Sequence, residues 1–188
     1  MEYPKLYMIL LGCRVKGRHT EQHDIFFGIA NSIKSLIPEI NKFWPEAKGR
    51  LHIDAWREVT YVDGYKISIE RNGIGNLTSE DSKLYFLNLG GYKQNEFEEY
   101  HYKMVCVGKT LPEVLKKAKE TAFYKHTGFK DAPTHIDDKY GIDVDDMCEI
   151  KKILPEQMRL DYKIIFEKAT DFETDKLHLG YFKLDSFQ

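Results

Sequence analysis

The sequence predicts an α+β protein in which a strand-strand-helix-strand-strand unit occurs twice, with mainly antiparallel sheet, the helices packed on one sheet face and an approximate internal twofold. Three observations lead there. Lys5-Leu6-Tyr7, Leu11-Gly12, Glu21, His23 and Ser32 recur as Lys83-Leu84-Tyr85, Leu89-Gly90, Glu99, His101 and Thr110, all displaced by 78 positions. A duplication sets one sequence beside itself, so that positions kept in both copies stand apart from those that merely fill space. Short apolar runs bounded by glycine signal strands, and two segments with apolar residues at i, i+3, i+4 and i+7 signal helices.

Each copy opens on an apolar run, residues 6–11 or 84–89, closed by Gly12 or by Gly90-Gly91. A polar connection leads to residues 25–29 or 104–107, so two strands and a loop make a hairpin. Ile33, Leu36, Ile37 and Ile40 then stand at helical spacing, as do Leu111, Val114, Leu115 and Ala118. Ser32 and Thr110 take the N-cap positions, and Thr110 with Glu113 makes a capping box. Pro38 would remove a backbone donor from within the first helix, which is therefore expected to begin near Leu36. Residues 51–59 alternate, with Leu51, Ile53 and Ala55 on one face and His52, Asp54, Trp56 and Glu58 on the other, the pattern of a half-buried strand. Asp63-Gly64 turns the chain into a strand through Ile69, matched in the second copy by residues 144–150. Residues 1–71 are the first repeat, 72–82 a linker and 83–150 the second repeat. Residues 151–188 are a C-terminal extension with two further strands that complete or cover a sheet edge.

With 188 residues, 42% of them hydrophobic and 13% aromatic, the chain can bury a core, which excludes disordered and collagen-like classes. A net charge of -2, from 28 basic and 30 acidic residues without a long single-sign run, leaves no footprint for nucleic acid or an anionic membrane as partner. No leader pattern opens the sequence and its apolar runs are far below a membrane span, so a cytoplasmic protein is expected. Cys13, Cys106 and Cys148 are odd in number and widely spaced, which fits reduced thiols rather than a disulfide framework.

The repeated polar set is the candidate site. Glu21 and His23, like Glu99 and His101, are two residues apart and in an extended chain project to one side. His52 with Asp54, and His135 with Asp137, do the same. Where the two segments of a copy meet, two imidazoles and two carboxylates converge, a set suited to Zn, Mn or non-haem Fe, or to a base oriented by a carboxylate. The same pairs also serve simply to satisfy loop backbone at strand ends. Trp56, beside the His52 and Asp54 face, is a candidate pocket floor, though an aromatic on a strand more often packs. Arg14, Lys16, Gly17 and Arg18 form a basic loop able to hold a phosphate, but Lys93, Gln94, Asn95 and Glu96 replace them in the second copy, which favours a solvated loop. Gly73-Ile74-Gly75 lacks the third glycine of a dinucleotide fingerprint, and Cys148 sits in an apolar strand where a small buried hydrophobe is expected rather than a nucleophile.

Leu11-Gly12-Cys13-Arg14, Glu21-Gln22-His23-Asp24, Leu51-His52-Ile53-Asp54-Ala55-Trp56 and Val62-Asp63-Gly64-Tyr65 resemble the bacterial family known as domain of unknown function 1543. Leu89-Gly90-Gly91-Tyr92 and His135-Ile136-Asp137-Asp138 extend the resemblance over roughly residues 6–150. The resemblance implies bacterial origin and one or two copies of the domain, and brings no activity, cofactor or catalytic residue with it. The residues themselves lead to two functional expectations. The first is a non-catalytic module binding a small molecule or a protein through Glu21, His23, His52, Asp54, Trp56, Glu99, His101, His135 and Asp137. The alternative is a metal-dependent, hydrolytic enzyme in which His23, His52, Asp54, His101, His135 and Asp137 hold a divalent metal. Oligomeric state, including a homo-oligomer, is left open.

Overall fold

The computed structural model describes residues 3–73, 81–121, 125–126, 135–136, 148–171 and 173–187. It contains β1 (Lys5–Cys13), β2 (Gln22–Ala30), α1 (Ile37–Phe43), β3 (His52–Glu58), β4 (Tyr61–Val62), β5 (Tyr65–Arg71), β6 (Lys83–Tyr92), β7 (Glu99–Gly108), α2 (Leu111–Glu120), β8 (His135–Ile136), β9 (Cys148–Glu149), β10 (Tyr162–Lys168) and β11 (His178–Lys183). Every strand pairing among the described residues is antiparallel, as the α+β reading expects. The chain divides into two units, Met1–Asn76 with Leu154–Gln188, and Leu77–Ile153. No helix among the described residues is long and apolar enough to cross a membrane.

In the first unit β1 lies inside a sheet of order β11-β3-β1-β2, and β5 lies inside a second sheet of order β10-β5-β4. The odd-numbered residues of β1, from Tyr7 to Cys13, face a core shared with Phe26, Ile33, Leu36, Ile40, Ile53 and Leu184. The first amphipathic segment is a 3-10 turn (Ile33–Leu36) followed by α1, with Pro38 in the opening turn of the α-helix where its missing N–H costs nothing. Asp63 and Gly64, at φ 51 and 83, make the tight turn between β4 and β5. The two C-terminal strands both belong to this unit, β10 along β5 and β11 along β3.

In the second unit β6 pairs with β7 on one side and with the two short strands β8 and β9 on the other. Tyr85, Leu87, Leu89 and Cys106 pack against Val114 and Ala118 of α2. The capping box expected at α2 is not formed: Thr110 makes no side-chain cap, and Glu113 accepts at 2.9 Å from the backbone N–H of Lys109, one residue before the cap. Ser32 likewise caps nothing and meets the Ser35 hydroxyl instead. Cys148 and Glu149 pair with Phe86 and Tyr85, as Arg57 and Glu58 pair with Met8 and Tyr7. The segment read from sequence as matching β4 and β5 therefore ends in the place that the end of β3 takes in the first unit. The rest of that segment, the middle of the linker (74–80) and Asp137-Asp138 lie outside the described residues.

Candidate functional site

The site begins with strand register. Gly12 is opposite His23 on β2 and opposite His52 on β3, so the two histidines flank one glycine in a row across three strands. The polar connection read before Ile25 already belongs to β2, which starts at Gln22 and carries His23 inside the ladder. Gly12 lies on the face opposite the α1 core, because its odd-numbered neighbours supply that core. A Cβ at Gly12 would come within 2.3 Å of His52 Nε2 and 2.4 Å of Asp54 Oδ2, so only glycine leaves room for the two side chains that lie over it.

Asp54 is set by a bulge. On β1, Leu11 pairs with Ile53 and Leu10 with Ala55, which leaves Asp54 as the extra residue of β3, and the β11 ladder breaks at the same point, between Leu179 and Phe182. Gly180, at φ 135, supplies the backbone freedom there. A bulge of one residue also exchanges the faces beyond it. Trp56 thus joins the core face, 6.2 Å from Tyr7 and stacked at 3.7 Å on His178, instead of sharing a face with His52 and Asp54 as strict alternation predicts. It does not line the pocket, because Asp54 has shifted the register beneath it.

Four side chains meet above Gly12. His52 Nε2 lies 3.2 Å from Glu21 Oε1 and 3.2 Å from Asp54 Oδ1. His23 Nε2 lies 3.3 Å from Asp54 Oδ2 and 3.8 Å from Glu21 Oε2. The four alternate around a ring in which each imidazole faces both carboxylates. His52, read from sequence as the outer face of a half-buried strand, is only 4% exposed, with the Tyr181 ring 4.3 Å from its own. Despite the short distances, His52 Nε2 and Asp54 Oδ2 are buried without a hydrogen bond. A buried polar group left without a hydrogen bond costs about 1–3 kcal/mol of desolvation. Among the described residues no group of three or more His, Cys, Asp or Glu side chains is arranged to hold a metal ion.

The ring opens on a cavity of about 320 Å³ lined by Glu21, His52 and Tyr181 together with four cations. Arg14, Lys16 and Arg18 come from the β1-β2 loop, whose turn at Gly17 has φ 85. Arg50 enters from the turn before β3, where Lys48 and Gly49 both take positive φ and Arg50 Nε donates to the Ala47 carbonyl at 3.4 Å. Cys13 lies beneath; burial pushes its thiol pKa up, against the opposing pull of Arg50, so it is an inert core residue and no nucleophile. Sequence reading missed Arg50 and Tyr181. Neither belongs to the repeated set, and Tyr181 enters through a strand pairing that local pattern does not encode. Gly12 was legible through its repetition at Gly90.

The second unit keeps the row and changes its surroundings. Gly90 pairs with His101 on β7 and with His135 on β8. Here the carboxylate Glu99 accepts from the Tyr92 phenol at 2.7 Å, and His101 Nδ1 meets Asn88 Nδ2 at 3.1 Å, with Glu99 Oε2 3.9 Å from His101 Nε2. The loop that carries Arg14, Lys16 and Arg18 in the first unit carries Tyr92, Gln94 and Glu96 at the positions 78 further on, and Glu96 bonds Tyr100. Of the remaining candidates, His135 is placed by its backbone alone and Asp137 lies outside the described residues.

No curated protein matches the chain. Among solved structures it is similar to a protein Il1583 from Idiomarina loihiensis, with 22% identity over 96% of this chain and 97% of that one and a TM-score of 0.55, a likeness of fold. The family model described as Domain of Unknown Function (DUF1543) matches residues 18–69, the stretch that holds Glu21, His23, Arg50, His52 and Asp54, and over that segment the chain is similar to this family.

Proposed function

We propose that the first unit is a non-catalytic module that binds a small molecule in the cavity beside the Glu21, His23, His52 and Asp54 ring. The observation that carries this reading is a His52 that is 4% exposed yet lines a cavity, its Nε2 3.2 Å from Glu21 and from Asp54 but aligned for a hydrogen bond to neither. A fold that needed His52 only for structure would satisfy it internally, since an unmade buried bond costs stability. The metal-dependent hydrolytic reading has less support: it requires three or more donors closing on one ion, and the ring instead pairs each imidazole with each carboxylate.

The reading extends to a bacterial, cytoplasmic protein that arose by internal duplication. Its supports are the odd number and wide spacing of Cys13, Cys106 and Cys148, the His-Gly-His row in each unit, and the ion pairs Lys5 to Glu58 and Lys83 to Glu149 at 2.8 and 3.5 Å.

Asp54→Asn tests the binding role without knowledge of the ligand. The change keeps the side-chain shape and removes the charge facing both imidazoles. A ligand site predicts that urea unfolding shifts by less than about 0.5 kcal/mol in either direction. A ring that exists to hold the fold predicts a loss of about 1–3 kcal/mol, and that result would reject the proposal.

A further inference from the structure

Resting on the reading of the cavity as a ligand site, we infer that its ligand is a small molecule bearing a phosphate group, seated among Arg14, Lys16, Arg18 and Arg50 against His52. The charge balance of the lining points there. Four cationic side chains line about 320 Å³ against one carboxylate, Glu21. Glu21 is itself engaged from the other side, with His52 and His23 at 3.2 and 3.8 Å. Among the described residues none of Arg14, Lys16, Arg18 and Arg50 makes an ion pair, and Glu21 is the one carboxylate in the lining they share. Lys5 and Lys42 of the same unit, by contrast, pair with Glu58 and Glu39.

The geometry favours a phosphate over a single negative charge. Guanidinium groups present planar forks that match two phosphate oxygens at once, and three arginines from two different connections converge here with one lysine. His52, whose buried Nε2 makes no aligned hydrogen bond, contributes to the wall of the same cavity. The Tyr181 ring covers His52 and lines the same space, which gives the uncharged part of the ligand an aromatic surface.

The second unit provides the contrast. The positions 78 after Arg14, Lys16 and Arg18 are Tyr92, Gln94 and Glu96. The carboxylate 78 after Glu21 is Glu99, tied to the Tyr92 phenol at 2.7 Å. The second unit's loop keeps one cation, Lys93, which lies over the Tyr100 ring, and sets Glu96 at the position of Arg18. Phosphate recognition is therefore assigned to the first unit and not to the second.

Titration of the full chain with inorganic phosphate tests the inference, read by 31P line width and by the amide and imidazole resonances of the 15N-labelled protein. Saturable binding with shifts at His52 and in the Arg14–Arg18 loop is expected, weakened about tenfold or more in Arg50→Gln and in Arg14→Gln. It should be unchanged in Lys42→Gln, whose lysine is paired with Glu39 outside the cavity. Raising the salt should weaken it further. Absence of saturation, acetate binding as tightly as phosphate, or wild-type affinity in both arginine variants would overturn the phosphate inference. Should those results coincide with an Asp54→Asn variant as stable as the parent, the pocket stands and its ligand belongs to another chemical class. If Asp54→Asn also destabilises, the pocket falls with it.

Discussion

Asp175→Ala is expected to destabilise the first unit by about 3–5 kcal/mol, the cost of removing one partner from a buried ionic network. The Asp175 side chain is 1% exposed and lies 3.5 Å from the Arg57 guanidinium. Its Oδ1 accepts from the Thr60 hydroxyl at 2.6 Å and from the backbone N–H groups of Thr60 and Tyr61 at 3.0 and 3.2 Å. One carboxylate from the C-terminal segment thus accepts three hydrogen bonds where β3 leads into β4. Its loss leaves two backbone donors and a partly buried guanidinium without their partner. Both tryptophans of the chain, Trp44 and Trp56, lie in the first unit, so urea unfolding followed by tryptophan fluorescence reports on that unit directly. A shift below about 0.5 kcal/mol would show that the network is replaceable. Asp175→Asn keeps an acceptor for the Thr60 bonds and should cost less than the alanine variant, separating the hydrogen bonds from the charge.

Gly12→Ala should abolish phosphate binding and cost about 1–3 kcal/mol of stability, the usual range for overpacking. The added methyl would lie 2.3 Å from His52 Nε2, far inside van der Waals contact, and His52 is buried between the β1 backbone and Tyr181 with little room to yield. Asp54, at 2.4 Å, sits on a bulge and yields more easily. The ring therefore opens before the strand moves. Alanine's smaller unfolded-state entropy offsets roughly 0.4–1 kcal/mol of the loss, which keeps the variant folded enough to assay. A Gly12→Ala protein that binds phosphate like its parent would show that His52 is not part of the pocket.

Much of this architecture is legible in the sequence, for physical reasons that differ from element to element. The β1 and β6 strands are buried and glycine-ended, and α2 has an apolar stripe at helical spacing, so local pattern carries them. Convergence of His23 with His52 was foreseeable because both lie beside one repeated apolar run and both recur. The placement of Trp56 was not. One residue added at Asp54 inverts the faces beyond it, and alternation alone cannot reveal where a ladder slips. The basic loop was discounted because the second copy lacks it, yet in the structure Arg50 and Tyr181, from distant stretches of chain, surround it with a cavity. Comparing copies finds what both units need to fold. It passes over what one of them acquired alone.

The first unit is discontinuous in sequence, with Leu77–Ile153 between its two parts. During synthesis the inner strands β3 and β5 leave the ribosome long before β11 and β10, their outer partners, and at about 5–20 residues per second the gap is on the order of ten seconds. Throughout that interval the second unit can fold by itself, while two apolar strands of the first present bare hydrogen-bonding edges to whatever else is in the cell. Tyr181, which closes the cavity, and Asp175, which locks the β3 to β4 connection, arrive last of all. The pocket thus forms only after translation has passed the second unit, and a chain arrested before β11 would be most exposed to chaperones and proteases along the edge meant to bear its ligand wall.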